Sequence, residues 1–138
     1  MIIITNNESV YNTYKDDIQI EYFEEYKFLD VLRYCRDRVH KGAKLLTHPL
    51  TGSVKPNETP FKSIMMSKET GPLDVESLMM IDSAIEVTEK FLSNHEVKDW
   101  PAKILDDFRL IDFGLIRSAI ESAGVLITGG LKWASYMM

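Results

Sequence analysis

Hydrophobic residues divide the chain into short apolar runs separated by amphipathic stretches. The isoleucine-rich run Met1–Thr5 ends at Asn6 and Asn7, which predicts a buried strand followed by a turn. The apolar positions and β-branched residues predict further strands at Ile18–Phe23, Lys44–Leu46 and Phe61–Met66. The sequence therefore predicts about four short strands in its first half.

Amphipathic periodicity predicts the helices. A short helix is expected at Glu8–Tyr14, and a longer one at Lys27–His40 ends before Gly42, which is a typical C-terminal cap. A third helix is expected to begin after Asp74, as its N-cap, and to end near Asn94. The last helix should be capped by Asp99, present Ile104, Phe108 and Ile111 inward, and break or kink at residues 112–114. After this point Phe113, Ile116 and Ile120 should continue the apolar pattern to a cap near Gly124.

The order of these elements predicts an α/β fold. Residues 1–124 are expected to form a single domain with a mostly parallel sheet of about four strands, helices on both faces and a helical C-terminal half. The direction of the fourth strand relative to the third stays open. Residues 125–138, which contain Trp133, Tyr136 and Met137, are either an extra strand or a tail that packs on another molecule, as in a homodimer.

Residues 47–60 are the most informative stretch, a long polar loop that contains three prolines. Ligands of parallel sheets bind at the carboxyl ends of the strands, where Asn6 and Asn7 leave the first strand and Thr47 and His48 leave the third. If those two strands are parallel neighbours, the asparagines and the loop converge. The predicted ligand-binding residues are Asn6, Asn7, Thr47, His48, Thr51, Ser53, Lys55, Asn57 and Glu58.

The chemistry of this loop leaves alternatives open. His48 is a candidate general acid–base, or it hydrogen-bonds its own loop and fixes the loop's shape. Residues 51–53 resemble part of a phosphate-binding loop, but Lys55-Pro56 prevents the helix that such a loop requires. Lys55, Asn57 and Glu58 are candidates to orient a small zwitterion, with Lys55 on a carboxylate and Glu58 on an amine. The alternative is that Asn57 and Glu58 simply form a turn between two prolines.

Charge and composition narrow the function classes. The net charge of −5 disfavours general nucleic-acid binding, although four lysines and one glutamate give residues 41–62 a local charge of +3. The chain has no signal-peptide pattern and no run long enough to span a bilayer, so we expect a cytoplasmic protein without membrane contact. We expect no metal, because the three histidines are scattered, and no cofactor, since dinucleotide fingerprints are absent. Cys35 is expected in the core. Asp106, Asp107 and Asp112 are expected on a solvated face, or as a surface that receives a basic partner.

Several segments resemble the GrdX family. They are the opening Ile-Ile-Ile-Thr-Asn-Asn, residues 29–32 and 36–42, the loop 46–60, Trp100-Pro101, and residues 106–108 and 110–112. The resemblance covers most of residues 1–123. It implies an accessory role beside the glycine, sarcosine and betaine reductase components of amino-acid-fermenting anaerobes, and it supplies no catalytic residues.

Together these features predict an accessory protein that binds a small anionic or zwitterionic ligand, or a reductase component, through loop 47–60. The alternative is a small enzyme that uses His48 as general acid–base on an amino-acid-derived, acyl or phosphate substrate.

Overall fold

The structure is a computed structural model that describes residues 1–51, 54–69, 71–95 and 98–124. Within these residues, three short strands form the sheet. The strands are β1 (Ile2–Thr5), β2 (Gln19–Tyr22) and β3 (Ser63–Met66), in the order β2-β1-β3. β1 is parallel to β2 and antiparallel to β3. The prediction of about four mostly parallel strands was therefore wrong in number and direction, because the described sheet has three strands and is mixed.

The predicted strand Lys44–Leu46 is reduced to one isolated antiparallel bridge between Leu45 and Met66. The backbone N–H groups of Lys44 and Leu45 donate instead to the hydroxyls of Ser67 and Ser77, at 2.8 Å and 3.0 Å. These side chains take the donors that a strand would need for its ladder. Because Met66 also pairs with Ile2, this segment lies one strand away from β1 and is not its neighbour.

Four helices are found where the periodicity predicts them. They are α1 (Glu8–Tyr14), α2 (Phe28–His40), α3 (Val75–Asn94) and α4 (Ala102–Ser122). The carboxylate of Asp74 caps α3 by accepting from the Ser77 N–H at 3.2 Å. None of the helices in the described part of the chain is long and apolar enough to cross a membrane.

The last helix differs from its prediction in three ways. Its N-cap is Pro101 and not Asp99, and it runs through residues 112–114 without interruption. Ile116 and Ile120 are buried as predicted, but Asp112 is buried with them and Ile111 is 42% exposed. A glycine within a helix costs only about 1 kcal/mol relative to alanine, so Gly114 does not have to end α4.

The central strand is buried on both sides. Ile2 and Ile4 join the core formed with residues of α2 and α3, such as Leu32 and Ile81. Ile3 points to the opposite side, into a core formed with residues of α1 and α4. The prediction of helices on both faces is therefore confirmed. The tail 125–138 and its aromatic residues lie outside the described residues.

Candidate functional site

The polar residues meet at the edge of the sheet where β1 ends and β3 begins. Thr5 is paired with Ser63 across the two strands, and the backbone N–H of Lys62 donates to the Asn6 side-chain oxygen at 2.8 Å. Thr47 lies along the outer edge of β3, away from β1, because its hydroxyl accepts from the Met65 N–H at 3.1 Å. This edge therefore combines the end of the first strand with both ends of the long loop.

A buried hydrogen-bond network centres on the carboxylate of Asp112 from α4. One of its oxygens accepts from the Ser63 N–H at 2.9 Å. The other accepts from the Ser63 hydroxyl at 2.7 Å and from the Asn7 side-chain amide at 3.0 Å. Thr5 extends the network, since its hydroxyl oxygen lies 2.7 Å from that of Ser63 and accepts from the Asn7 N–H at 2.9 Å. The network links β1, β3 and α4 by hydrogen bonds and holds them together at this edge of the sheet.

Lys62 supplies the opposite charge. Burial lowers the pKa of its ammonium, while the neighbouring Asp112 carboxylate acts in the opposite direction. Burial likewise raises the pKa of Asp112, against the hydrogen bonds from Ser63 and Asn7 and the charge of Lys62. The ammonium nitrogen also lies 5.8 Å from the centroid of the Phe28 ring. A buried lysine and a buried aspartate thus stand together at this edge.

A cleft of about 270 Å³ opens beside this pair, and we call it the polar cleft. It is lined by Thr47, His48, Thr51, Lys62, Ser63, Asp112, Leu115, Ile116 and Ala119. The lining residues carry hydroxyls, an imidazole, an ammonium and a carboxylate, together with apolar side chains from α4. These groups include both donors and acceptors, so the polar cleft has the chemistry to hold a small charged molecule.

Three of the residues predicted from the sequence line the polar cleft: Thr47, His48 and Thr51. His48 is exposed, and its Nδ1 lies 2.6 Å from the Leu50 carbonyl oxygen and 3.0 Å from the Leu50 N–H nitrogen. This contact fixes the shape of the loop, which was the alternative to a catalytic role for His48. It holds one ring nitrogen against the backbone of the same loop.

Asn6 and Asn7 lie at the same edge but do not line the polar cleft. The Asn6 amide donates to the carbonyls of Tyr26 and Pro60, at 2.8 Å and 2.7 Å. The Asn7 amide donates to Asp112, and its side-chain oxygen caps α1 by accepting from the Ser9 N–H at 3.1 Å. Both side chains are thus engaged in holding the loop end and the network in place.

The second half of the loop faces a different cleft. Asn57 and Glu58 line a space of about 460 Å³ that shares no lining residue with the polar cleft. Two hydrogen bonds hold this half in place: the Trp100 indole N–H donates to the Glu58 carbonyl at 2.7 Å, and the Glu58 N–H to the Lys55 carbonyl at 2.9 Å. Lys55 itself is exposed. Ser53 lies outside the described residues.

Sequence reasoning missed three residues of the polar cleft: Lys62, Ser63 and Asp112. The local charge of residues 41–62 suggested a basic surface, yet Lys62 is only 5% exposed. The prediction that Asp112 lies on a solvated face was wrong, since this residue is only 7% exposed. Its spacing of four and eight residues from Ile116 and Ile120 is the signal that places it on the buried stripe of α4.

The fold and the site define a small α/β protein with a buried lysine–aspartate pair beside a polar cleft. No group of three or more metal-ligating side chains occurs within the described ranges. The model of the GrdX-like protein family matches residues 2–121, and the chain belongs to this family. The resemblance noted in the sequence is thereby confirmed. No curated protein and no solved structure matches the chain.

Proposed function

We propose that the polar cleft binds a small anionic or zwitterionic ligand, and that the protein thereby serves as an accessory to the glycine, sarcosine and betaine reductase system. The family membership supports the association with that system. The observation that carries the binding proposal is the position of Lys62, a buried cation that lines a cleft surrounded by hydroxyl groups.

The hydrogen bonds within the network indicate that Lys62, and not Asp112, is the group that contacts the ligand. Both oxygens of Asp112 already accept from protein donors, whereas the three N–H bonds of an ammonium suit an anionic oxygen. A charge in a partly desolvated cleft also attracts an anion more strongly than the same charge in open water. The Thr47 hydroxyl accepts from the Met65 N–H and keeps its own O–H to donate to the ligand.

The size of the polar cleft fits this class of ligand. About 270 Å³ corresponds to roughly nine water molecules at the volume that water occupies in the liquid. An amino acid, an N-methylated amino acid or a small acyl phosphate falls in this range. A nucleotide would need more space, in keeping with the missing phosphate-loop pattern.

A thermal-shift screen with glycine, sarcosine, betaine, acetyl phosphate and phosphate tests the proposal. A ligand present at ten times its Kd stabilises the protein by about 1.4 kcal/mol, which raises Tm by about 3–5 °C. We expect such a shift for at least one compound, its loss in Lys62→Met, and its retention in Lys103→Met, which removes an exposed lysine of α4. Absence of any shift at millimolar concentrations, or an equal shift in Lys62→Met, would contradict the proposal.

The enzyme hypothesis is a second candidate, and one observation favours it: His48 lines the same cleft as Lys62. Both hypotheses predict that His48→Ala keeps most of the thermal shift, so turnover of the compound separates them. If the protein only binds its ligand, neither the wild type nor the variant converts the compound. If His48 transfers a proton, turnover of the bound compound, followed by NMR of the small molecule, ceases in the variant while the shift persists.

A further inference from the structure

A second cleft lies on the other side of the loop, between the start of α2, the segment 56–60 and the end of α3. Its volume of about 460 Å³ is within the range of small-molecule sites. We call it the proline cleft. It is lined by Lys27, Phe28, Leu29, Asp30, Arg33, Pro56, Asn57, Glu58, Thr59, Pro60, Leu92 and Lys98. Five of these twelve residues have aromatic, aliphatic or proline side chains, and the other seven are polar or charged.

The charges around the proline cleft favour an anion. Three cations, Lys27, Arg33 and Lys98, face two acids. One of these acids, Asp30, is already engaged in capping α2, because its carboxylate accepts from the Lys27 N–H at 2.9 Å. Arg33 forms only an exposed pair with Glu89 at 3.4 Å, which is an interaction worth little. Over the lining residues the excess is one positive charge, in a protein with a net charge of −5, and the exposed Glu89 beside Arg33 weakens the resulting field.

Asn57 provides an independent indication of a ligand. This residue lines the proline cleft and is only 7% exposed. Its side-chain oxygen is buried, and within the described part of the chain it accepts no hydrogen bond. Leaving a buried acceptor unsatisfied costs about 1–3 kcal/mol, so such groups usually mark a missing donor. This oxygen has almost no exposed surface, so a ligand N–H or O–H group would supply the donor once the Asn57 side chain turns toward the cleft.

From these observations we propose that the proline cleft is a second binding site, which takes an organic anion with an aromatic or branched apolar body and a hydrogen-bond donor. The apolar walls bury the body, Arg33 and Lys98 pair with the anionic group, and the donor meets Asn57. Because the two clefts share no lining residue, this site is independent of the function proposed for the polar cleft.

The probe for this site is 8-anilinonaphthalene-1-sulfonate, which combines an aromatic body, one anionic group and one N–H donor. We expect saturable fluorescence enhancement with the wild-type protein. In the double variant Arg33→Gln/Lys98→Gln the Kd should rise by about tenfold, which corresponds to about 1.4 kcal/mol. The neutral analogue N-phenyl-1-naphthylamine, which lacks the sulfonate, should bind the wild type about tenfold more weakly than the anionic dye.

A matched control is Lys90→Gln/Lys103→Gln, which also removes one exposed ion pair and one further surface lysine. It should leave the Kd unchanged.

Asn57→Leu removes the hydrogen-bond acceptor and should raise the Kd of the anionic dye by about threefold to tenfold. Equal affinity of the wild type and the Arg33/Lys98 variant, or equal binding of the two dyes, would overturn the proposal. Occupation of the cleft by a second copy would also overturn it, and would appear as dimerisation in sedimentation that suppresses dye binding.

Discussion

At the scale of single residues, Asp112 is the residue on which the site depends. Burying a carboxylate to 7% exposure costs free energy. Two donors from Ser63, one from Asn7 and the nearby charge of Lys62 offset this cost. These contacts join three elements that are far apart in the sequence. Without the carboxylate, the start of β3 that carries Lys62 would lose its attachment to α4.

We expect Asp112→Asn to lower the free energy of unfolding by about 1–3 kcal/mol, because the new amide N–H₂ faces donors and leaves one of them unsatisfied. Urea unfolding measures this change. The control is Asp107→Asn, an exposed position on the same helix, which should stay within about 0.5 kcal/mol of the wild type. Equal loss of stability in both variants would show that Asp112 has no special role.

The raised pKa of Asp112 also predicts a pH dependence. A carboxyl whose pKa is higher in the folded than in the unfolded protein contributes stability that is fully present below the unfolded pKa of about 3.8 and is lost as the pH rises through the folded value. The stability difference between wild type and Asp112→Asn should therefore grow as the pH is lowered from 7 toward 4. A constant or shrinking difference in the same urea experiments would contradict this assignment.

At the scale of elements, the helices could be predicted from the sequence and the sheet only in part. Periodicity places Phe28, Leu32, Cys35 and Val39 on one buried stripe of α2, and that stripe is found. The strands are only four residues long, and their pairing depends on contacts between distant segments. The serine hydroxyls that replace the ladder of the segment 44–46 could not be recognised before the fold was known.

The same limit applies to the site. Thr47, His48 and Thr51 could be selected because they share one polar loop, and they do share one cleft. Lys62 sits in an apolar run, and its burial follows only from the packing of β3 against α2 and α4. Loop composition identifies polar residues, but it does not tell which side of the loop each one faces. The sequence therefore grouped Asn57 and Glu58 with His48, although they line the other cleft.

Two glycines differ sharply in the space and backbone conformation around them. Gly42 follows α2 with a φ of +103°, and a Cβ there would lie 2.3 Å from the Gly71 carbonyl oxygen. We expect Gly42→Ala to cost at least about 2 kcal/mol, from backbone strain and this clash. Gly114 lies within α4, where an added Cβ would meet no atom within 4 Å, so Gly114→Ala should stabilise the protein by about 0.5–1 kcal/mol. Thermal unfolding of both variants measures the difference, and a similar effect of the two substitutions would contradict it.

At the scale of the whole molecule, the long loop separates two clefts of different chemistry. Asn6 ties the loop to the end of β1 through the Pro60 carbonyl, and Trp100 ties it to the start of α4 through the Glu58 carbonyl. The first half of the loop faces the buried lysine–aspartate pair, and the second half faces an apolar cleft with a cationic rim. Of the four lysines in residues 41–62, only Lys62 lines either cleft, and the cationic rim of the second cleft comes from Lys27, Arg33 and Lys98.

The bound anion can be located on the protein directly, by the amide chemical shifts of ¹⁵N-labelled protein titrated with the five compounds of the thermal-shift screen. If Lys62 holds an anion in the polar cleft, saturable shifts should appear at Thr47, Thr51 and Ser63 for at least one compound. These shifts should disappear in Lys62→Met but not in Lys103→Met. Shifts that persist in Lys62→Met, or that never saturate with any compound, would contradict the claim that Lys62 holds an anion in the polar cleft.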